Sequence, residues 1–200
     1  MVNQLKQMAK TNTRVLIIQN KITNYNLPIY NLIGNNNNID LTIAHFEKKS
    51  ILKNNFKTIS LTNYHIGSFV FSNENIFQLC QNFDVVISLA DLHWIPLMML
   101  SKKINRKFKL IYWTIGVSAS YSNKFDENTR WDFLRYFFLR DADAILFYSS
   151  YPIKKYIKKN FAKKMLFVAP NTVKINNKNN VVEPSLKNNL LFIGTLYKEK

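Results

Sequence analysis

Phe83-Asp84-Val85-Val86-Ile87-Ser88-Leu89-Ala90 is the stretch on which the fold turns. Its apolar residues are nearly continuous rather than alternating, as in a strand covered on both faces of a parallel sheet. Upstream, Arg14-Val-Leu-Ile-Ile-Gln19 and Ile39 to Phe46 read the same way, and downstream so do Phe108 to Trp113, Asp143 to Tyr148 and Met165 to Ala169. Helix signals fill the gaps. Pro28 suits the first turn of a helix ending near Gly34, and Ser72 and Asn73 can cap a helix from Glu74 to Gln81. Pro96 opens a helix over Trp94 to Ile104, and Asp126 to Arg140 and Pro152 to Phe161 supply two more. Phe56 to Leu61 and His65 to Phe71 read as strands with no assigned partner. This alternation predicts an α/β fold with a Rossmann-like, doubly wound parallel sheet.

Composition bounds the rest. The 200 residues are 47% hydrophobic and 20% charged, which excludes a disordered or collagen-like chain. A single cysteine, Cys80, excludes an internal disulfide framework and a cysteine-cluster zinc site. Met1 to Asn12 lacks the apolar core of a signal peptide. The longest near-apolar run, Val85 to Leu100, is broken by Asp91 and His93 and falls short of the roughly 18–20 residues of a membrane span. The expected location is cytoplasmic, with peripheral contact at the inner face of the cell membrane left open. Lys and Arg number 28 against 12 Asp and Glu, a formal charge of +16. Only Arg14, Arg106, Arg130, Arg135 and Arg140 carry the guanidinium fork that grips phosphate bidentately. The charge attracts anions without choosing among nucleic acid, anionic lipid and nucleotide phosphate.

From Pro170 to Asn189 the chain turns to Asn, Lys, Glu and Pro, then Leu190-Leu-Phe-Ile-Gly194 opens a new apolar run. The expected organisation is a Rossmann-like domain over 1–170, a linker over 171–189, and the start of a second, truncated domain over 190–200.

Four segments in series resemble the N-terminal domain of GT-B-fold glycosyltransferases of the retaining family-4 type. They are Phe83-Asp-Val-Val-Ile87, Ala142-Asp-Ala-Ile-Leu-Phe-Tyr-Ser149, Phe167-Val-Ala-Pro-Asn171, and Leu191-Phe-Ile-Gly-Thr-Leu-Tyr-Lys-Glu-Lys200. The resemblance implies an acceptor-binding domain of an enzyme that moves a sugar from a nucleotide-sugar to a glycan or lipid-linked acceptor in bacterial polysaccharide biosynthesis. The nucleotide-sugar would be a co-substrate, with no further cofactor and no obligatory metal. The family holds donor phosphates with an Arg-x4-Lys pair, to which Thr195 and Lys200 correspond; Thr195 lacks the charge and the fork. Thr114-Ile-Gly116 stands where many members carry a His. By this resemblance the 200 residues alone would be inactive, since half of the cleft is missing.

In an open α/β sheet, ligands bind beyond the carboxyl ends of the strands. The loops there hold Asn24, Tyr25, Asp91, His93, Trp94, Trp113, Gly116, Ser118, Ser120, Tyr121 and Tyr151. Aromatic faces beside hydroxyl and amide groups suit a sugar acceptor. Asp91 and His93 are candidates for a general base or for orienting a sugar hydroxyl, and equally for capping a helix that begins near Trp94. Asp141-Ala-Asp143 has the spacing of a metal-binding pair but reads better as the lead into a strand. Tyr151 to Lys164 reads as an amphipathic helix, with Ile153, Ile157 and Phe161 on one side and Lys154, Lys155, Lys158 and Lys159 on the other. It would suit either a solvated face or anionic lipid. Arg130 to Arg140 reads as a largely buried packing helix. Two other classes remain: a basic nucleic-acid-binding module and a non-catalytic glycan-binding homologue.

Overall fold

The computed structural model describes residues 12–47, 54–118, 126 and 130–170. In chain order the elements are β1 (Thr13–Gln19), α1 (Leu27–Gly34), β2 (Ile39–His45), β3 (Lys57–Ser60), β4 (Asn63–Ile66) and β5 (Phe69–Ser72). They continue with α2 (Ile76–Cys80), β6 (Val85–Leu89), α3 (Ile95–Met98), β7 (Lys109–Thr114), α4 (Arg130–Leu139), β8 (Ala144–Phe147), α5 (Ile153–Lys158) and β9 (Leu166–Val168).

Seven strands form one sheet in the order β3-β2-β1-β6-β7-β8-β9, and every pair in it is parallel. Strand β1 lies inside the sheet; from it the order runs outward to β3, then crosses back to lay β6 against the other side of β1. That reversal is the topological switch point of a doubly wound sheet. The near-continuous apolar runs follow from this, because α1 covers one face and the other helices cover the opposite one. Val15, Ile17, Leu41 and Ile43 pack with Tyr30 of α1. Leu16, Ile18, Val86, Leu110, Ile145 and Phe147 pack with Leu97, Met98, Tyr136, Leu139 and Tyr156.

Four local expectations change. His65 to Phe71 is not one strand but most of the antiparallel β4–β5 hairpin, which turns at Gly67 with φ of 59°. The cap of α2 is Asn75, whose side chain accepts from the Gln78 amide at 3.0 Å, while Ser72 bonds Glu74. Helix α4 buries only Asp132, Tyr136 and Leu139, and turns Trp131, Phe133 and Phe137 to solvent. On the α5 segment the buried residues are Pro152, Tyr156 and Phe161, whereas Ile157 is exposed and Lys155 turns inward to Asp126 at 2.6 Å. The proposed linker at 171–189 and the strand opening at Leu190 lie outside the described residues.

Candidate functional site

A cavity of about 670 Å³ opens beyond the carboxyl ends of β6, β7 and β8. Leu89 ends β6 and Ala90 to His93 follow it, Trp113 to Ile115 with Val117 and Ser118 end or follow β7, and Tyr148 follows β8. Ser68 and Phe69 of the hairpin turn and Trp131 and Arg135 of α4 complete the lining.

The hairpin sets the β6 loop. The Val70 amide donates to the His93 carbonyl at 2.7 Å, and Val70 bridges Trp94 in parallel register. Within that loop Asp91 Oδ1 accepts from the His93 amide and lies 2.9 Å from His93 Nδ1. Asp91 therefore holds the imidazole directly, and α3 is capped instead at the Trp94 position, without a side-chain bond. A proton on Nδ1 in this contact leaves Nε2 with its lone pair, the arrangement a general base needs. Both side chains are reachable, at 63% exposure for His93 and 48% for Asp91.

Aromatic groups form the other walls. Trp113 and Tyr148 meet with ring centres 5.4 Å apart. Burial, and then the neighbouring Tyr25, pushes the Tyr148 phenol above its ordinary value, so it stays neutral. The indole Nε1 of Trp113 is buried with no hydrogen-bond partner, and an unmet buried donor of this kind costs about 1–3 kcal/mol.

Behind the cavity lies a charge network. Arg135 donates to Asp132 and, at 3.4 Å, to Ser118 Oγ. Lys155 bonds Asp126 and lies 3.6 Å from Asp132, while the Tyr151 hydroxyl donates to Asp126 at 3.0 Å. Burial opposes the charge on Lys155, but the bond to Asp126 and the surrounding carboxylates outweigh it and raise its pKa.

The structure thus gathers Asp91, His93, Trp113 and Ser118 around one cavity. Asn24 and Tyr25 are exposed in the turn before α1 and lie outside the lining, which is shifted from the switch point toward β7 and β8. Trp94 is buried, its ring 4.5 Å from that of Phe46, and belongs to the core rather than to an open surface. Gly116 is a backbone position with φ of 80°, and Tyr151 joins the network behind the cavity. Ser120, Tyr121, Thr195 and Lys200 lie outside the described residues. Sequence reasoning missed Arg135, Trp131, Tyr148, Ser68 and Phe69. Tyr148 directly follows a strand and was within reach, whereas the hairpin pair was hidden by reading its turn as strand.

Asp141 and Asp143 sit at the opposite, amino end of β8, held by cations. Lys102 bonds Asp141 at 2.5 Å, and Arg106 and Lys109 bond Asp143 at 3.2 and 3.0 Å. Among the described residues no group of three or more His, Cys, Asp or Glu is placed to hold a metal. Cys80 is buried, and burial pushes its thiol up to about 12, which keeps it inert.

No protein-family model and no curated protein matches this sequence. The fold is shared with crystal structures of Anabaena HepE: in complex with UDP-glucose, TM-score 0.54 at 10% identity, and with UDP and glucose, 0.53 at 10%. A third, in complex with UDP, gives 0.50 at 9% identity. Each alignment covers 80% of this chain and 44% of HepE, so the chain spans less than half the length of the protein it matches. The class defined by fold is an α/β protein with a Rossmann-like parallel sheet.

Proposed function

We propose that this chain is the acceptor-binding lobe of a GT-B glycosyltransferase, of the retaining family-4 type, acting in glycan or lipid-linked oligosaccharide assembly. The observation that carries the reading is the cavity: aromatic walls and a reachable Asp91–His93 pair, at the strand ends where an α/β sheet binds its ligand. The shared fold with a protein solved with UDP-glucose supports it. In this reading Trp113, Trp131 and Tyr148 pack against sugar faces, Ser118 bonds a hydroxyl, and His93 takes a proton from the acceptor hydroxyl. Asn24, Tyr25 and Tyr151 would touch only a longer acceptor. Residues 190–200 would open the donor lobe, with Thr195 and Lys200 at the nucleotide phosphates.

Saturation-transfer NMR of the 200-residue chain against a panel of oligosaccharides and nucleotide-sugars tests this. Glycan ring protons are expected to receive saturation, and Trp131→Ala should weaken binding by about tenfold or more. In a polypeptide that also carries the donor lobe, His93→Ala should lower turnover without abolishing glycan binding. Salt-dependent binding of oligonucleotide with no saturation of any glycan would replace this reading with a nucleic-acid-binding one.

A further inference from the structure

Helix α4 has three sides with three destinations. Asp132, Tyr136 and Leu139 face inward, and Trp131 and Arg135 line the cavity. On the third side Arg130, Phe133, Phe137 and Arg140 follow one another at steps of three, four and three residues, the spacing of one helical face. All four are exposed, Phe133 at 73% and Phe137 at 48%.

Two exposed phenylalanines a turn apart are an apolar surface that the described residues leave uncovered, and cations bound it. Arg130 and Arg140 stand at its ends. Lys102 Nζ lies 3.5 Å from the Phe137 ring centre. The Arg140 guanidinium donates to the Lys159 carbonyl at 3.0 Å, which ties the face to the exposed Lys154, Lys158 and Lys159 of the α5 segment. Among the described residues the nearby carboxylates are engaged: Asp141 with Lys102, Asp132 with Arg135, and Asp126 with Lys155.

From this we propose that the Arg130–Arg140 edge of α4 docks on an anionic phospholipid bilayer. Phe133 and Phe137 enter the boundary between headgroups and acyl chains, and Arg130, Arg140 and the exposed Lys154, Lys158 and Lys159 meet lipid phosphates. Aromatic anchors combined with cationic side chains are the chemistry of an interfacial helix. The formal charge of +16 adds long-range attraction, but the phenylalanines fix which face lands. The site is therefore on α4, not on the Ile153–Ile157–Phe161 side of the next helix. The proposal goes beyond the sugar-transfer reading and stands without it. If both hold, docking brings the cavity wall formed by Trp131 and Arg135 close to the bilayer.

Co-sedimentation with vesicles of phosphatidylcholine, with and without phosphatidylglycerol, tests it. The protein should bind the anionic vesicles and not the neutral ones. Phe133→Ser with Phe137→Ser should weaken binding by about tenfold or more. Leu32→Ser removes another exposed apolar residue, 72% exposed on α1 against the opposite face of the sheet, and should change nothing. All these positions are exposed, so circular dichroism and the melting temperature should match the parent chain. Undiminished binding by the double phenylalanine variant would overturn the proposal, leaving diffuse charge attraction. So would absence of vesicle binding, or a concentration-dependent dimer abolished by the same variant, which would make a second copy the occupant.

Discussion

Gly116 carries the cavity loop, and its requirement for glycine is geometric. Its φ of 80° lies where a side chain is strained, and an added Cβ would stand 2.7 Å from two ring carbons of Phe147 and 2.9 Å from Pro152 Cβ. Phe147 is fully buried, so it has no room to yield. Gly116→Ala is expected to destabilise the chain by about 2–4 kcal/mol, the sum of left-handed backbone strain and overpacking. Urea unfolding reads this directly, and a midpoint unchanged from the parent would contradict it. The sequence placed Gly116 at the end of a strand and so near a site. What demands the glycine is a ring from the next strand, and no local pattern announces that contact. Trp94 shows the same limit in reverse, since only the tertiary position of Phe46 reveals that its ring is core.

Strands β7 and β8 are joined at their amino ends by one carboxylate. Asp143 Oδ2 accepts from the Leu110 amide at 2.9 Å while Lys109 and Arg106 bond the same group. Partial burial works against its charge, but the Leu110 amide and the two cations prevail and hold the carboxyl below the ordinary aspartate value. A depressed folded pKa means that this stabilisation is present in full above the unfolded value. It is lost as pH falls below about 4 toward the folded pKa. Asp143→Asn should cost about 1–2 kcal/mol at neutral pH and flatten the acid limb of the stability curve. Equal acid sensitivity in both proteins, measured by urea titration at a series of pH values, would remove Asp143 from this role. The elements themselves were legible because continuous apolar runs bounded by Pro and Asn caps are local signals. The hairpin was not, because Val70, Phe69 and Phe71 continue the strand pattern across a turn that only Gly67 marks. The outer side of α4 was not either, since Phe133 and Phe137 are as apolar as buried neighbours and only the placement of the helix decides which face the sheet covers.

At the scale of the whole molecule, the order of the strands sets where stability resides. The apolar runs revealed parallel strands but not their sequence in the sheet, because helical crossovers permit several orders and the choice is made by which helix covers which face. Here β1 lies between β2 and β6, with Leu16, Ile17 and Ile18 shielded from solvent. Strand β9, in contrast, pairs only with β8 among the described residues and exposes Phe167 and Val168. Amides with a ladder on both sides and covered faces exchange only when a large unit opens, whereas edge amides exchange through small local openings. Native-state hydrogen exchange should therefore find the slowest amides in β1, β6 and β7, with β3 and β9 faster by about tenfold or more. The cavity loops follow the carboxyl ends of β6 and β7, so this gradient puts Asp91, His93 and Trp113 on the most rigid part of the sheet. The hairpin that buttresses them is held mainly by its contacts with α3 and the β6 loop, and its amides should exchange at edge-like rates. Protection of β9 equal to that of β1 would show that the edge is covered and that rigidity is not graded from the centre of the sheet outward.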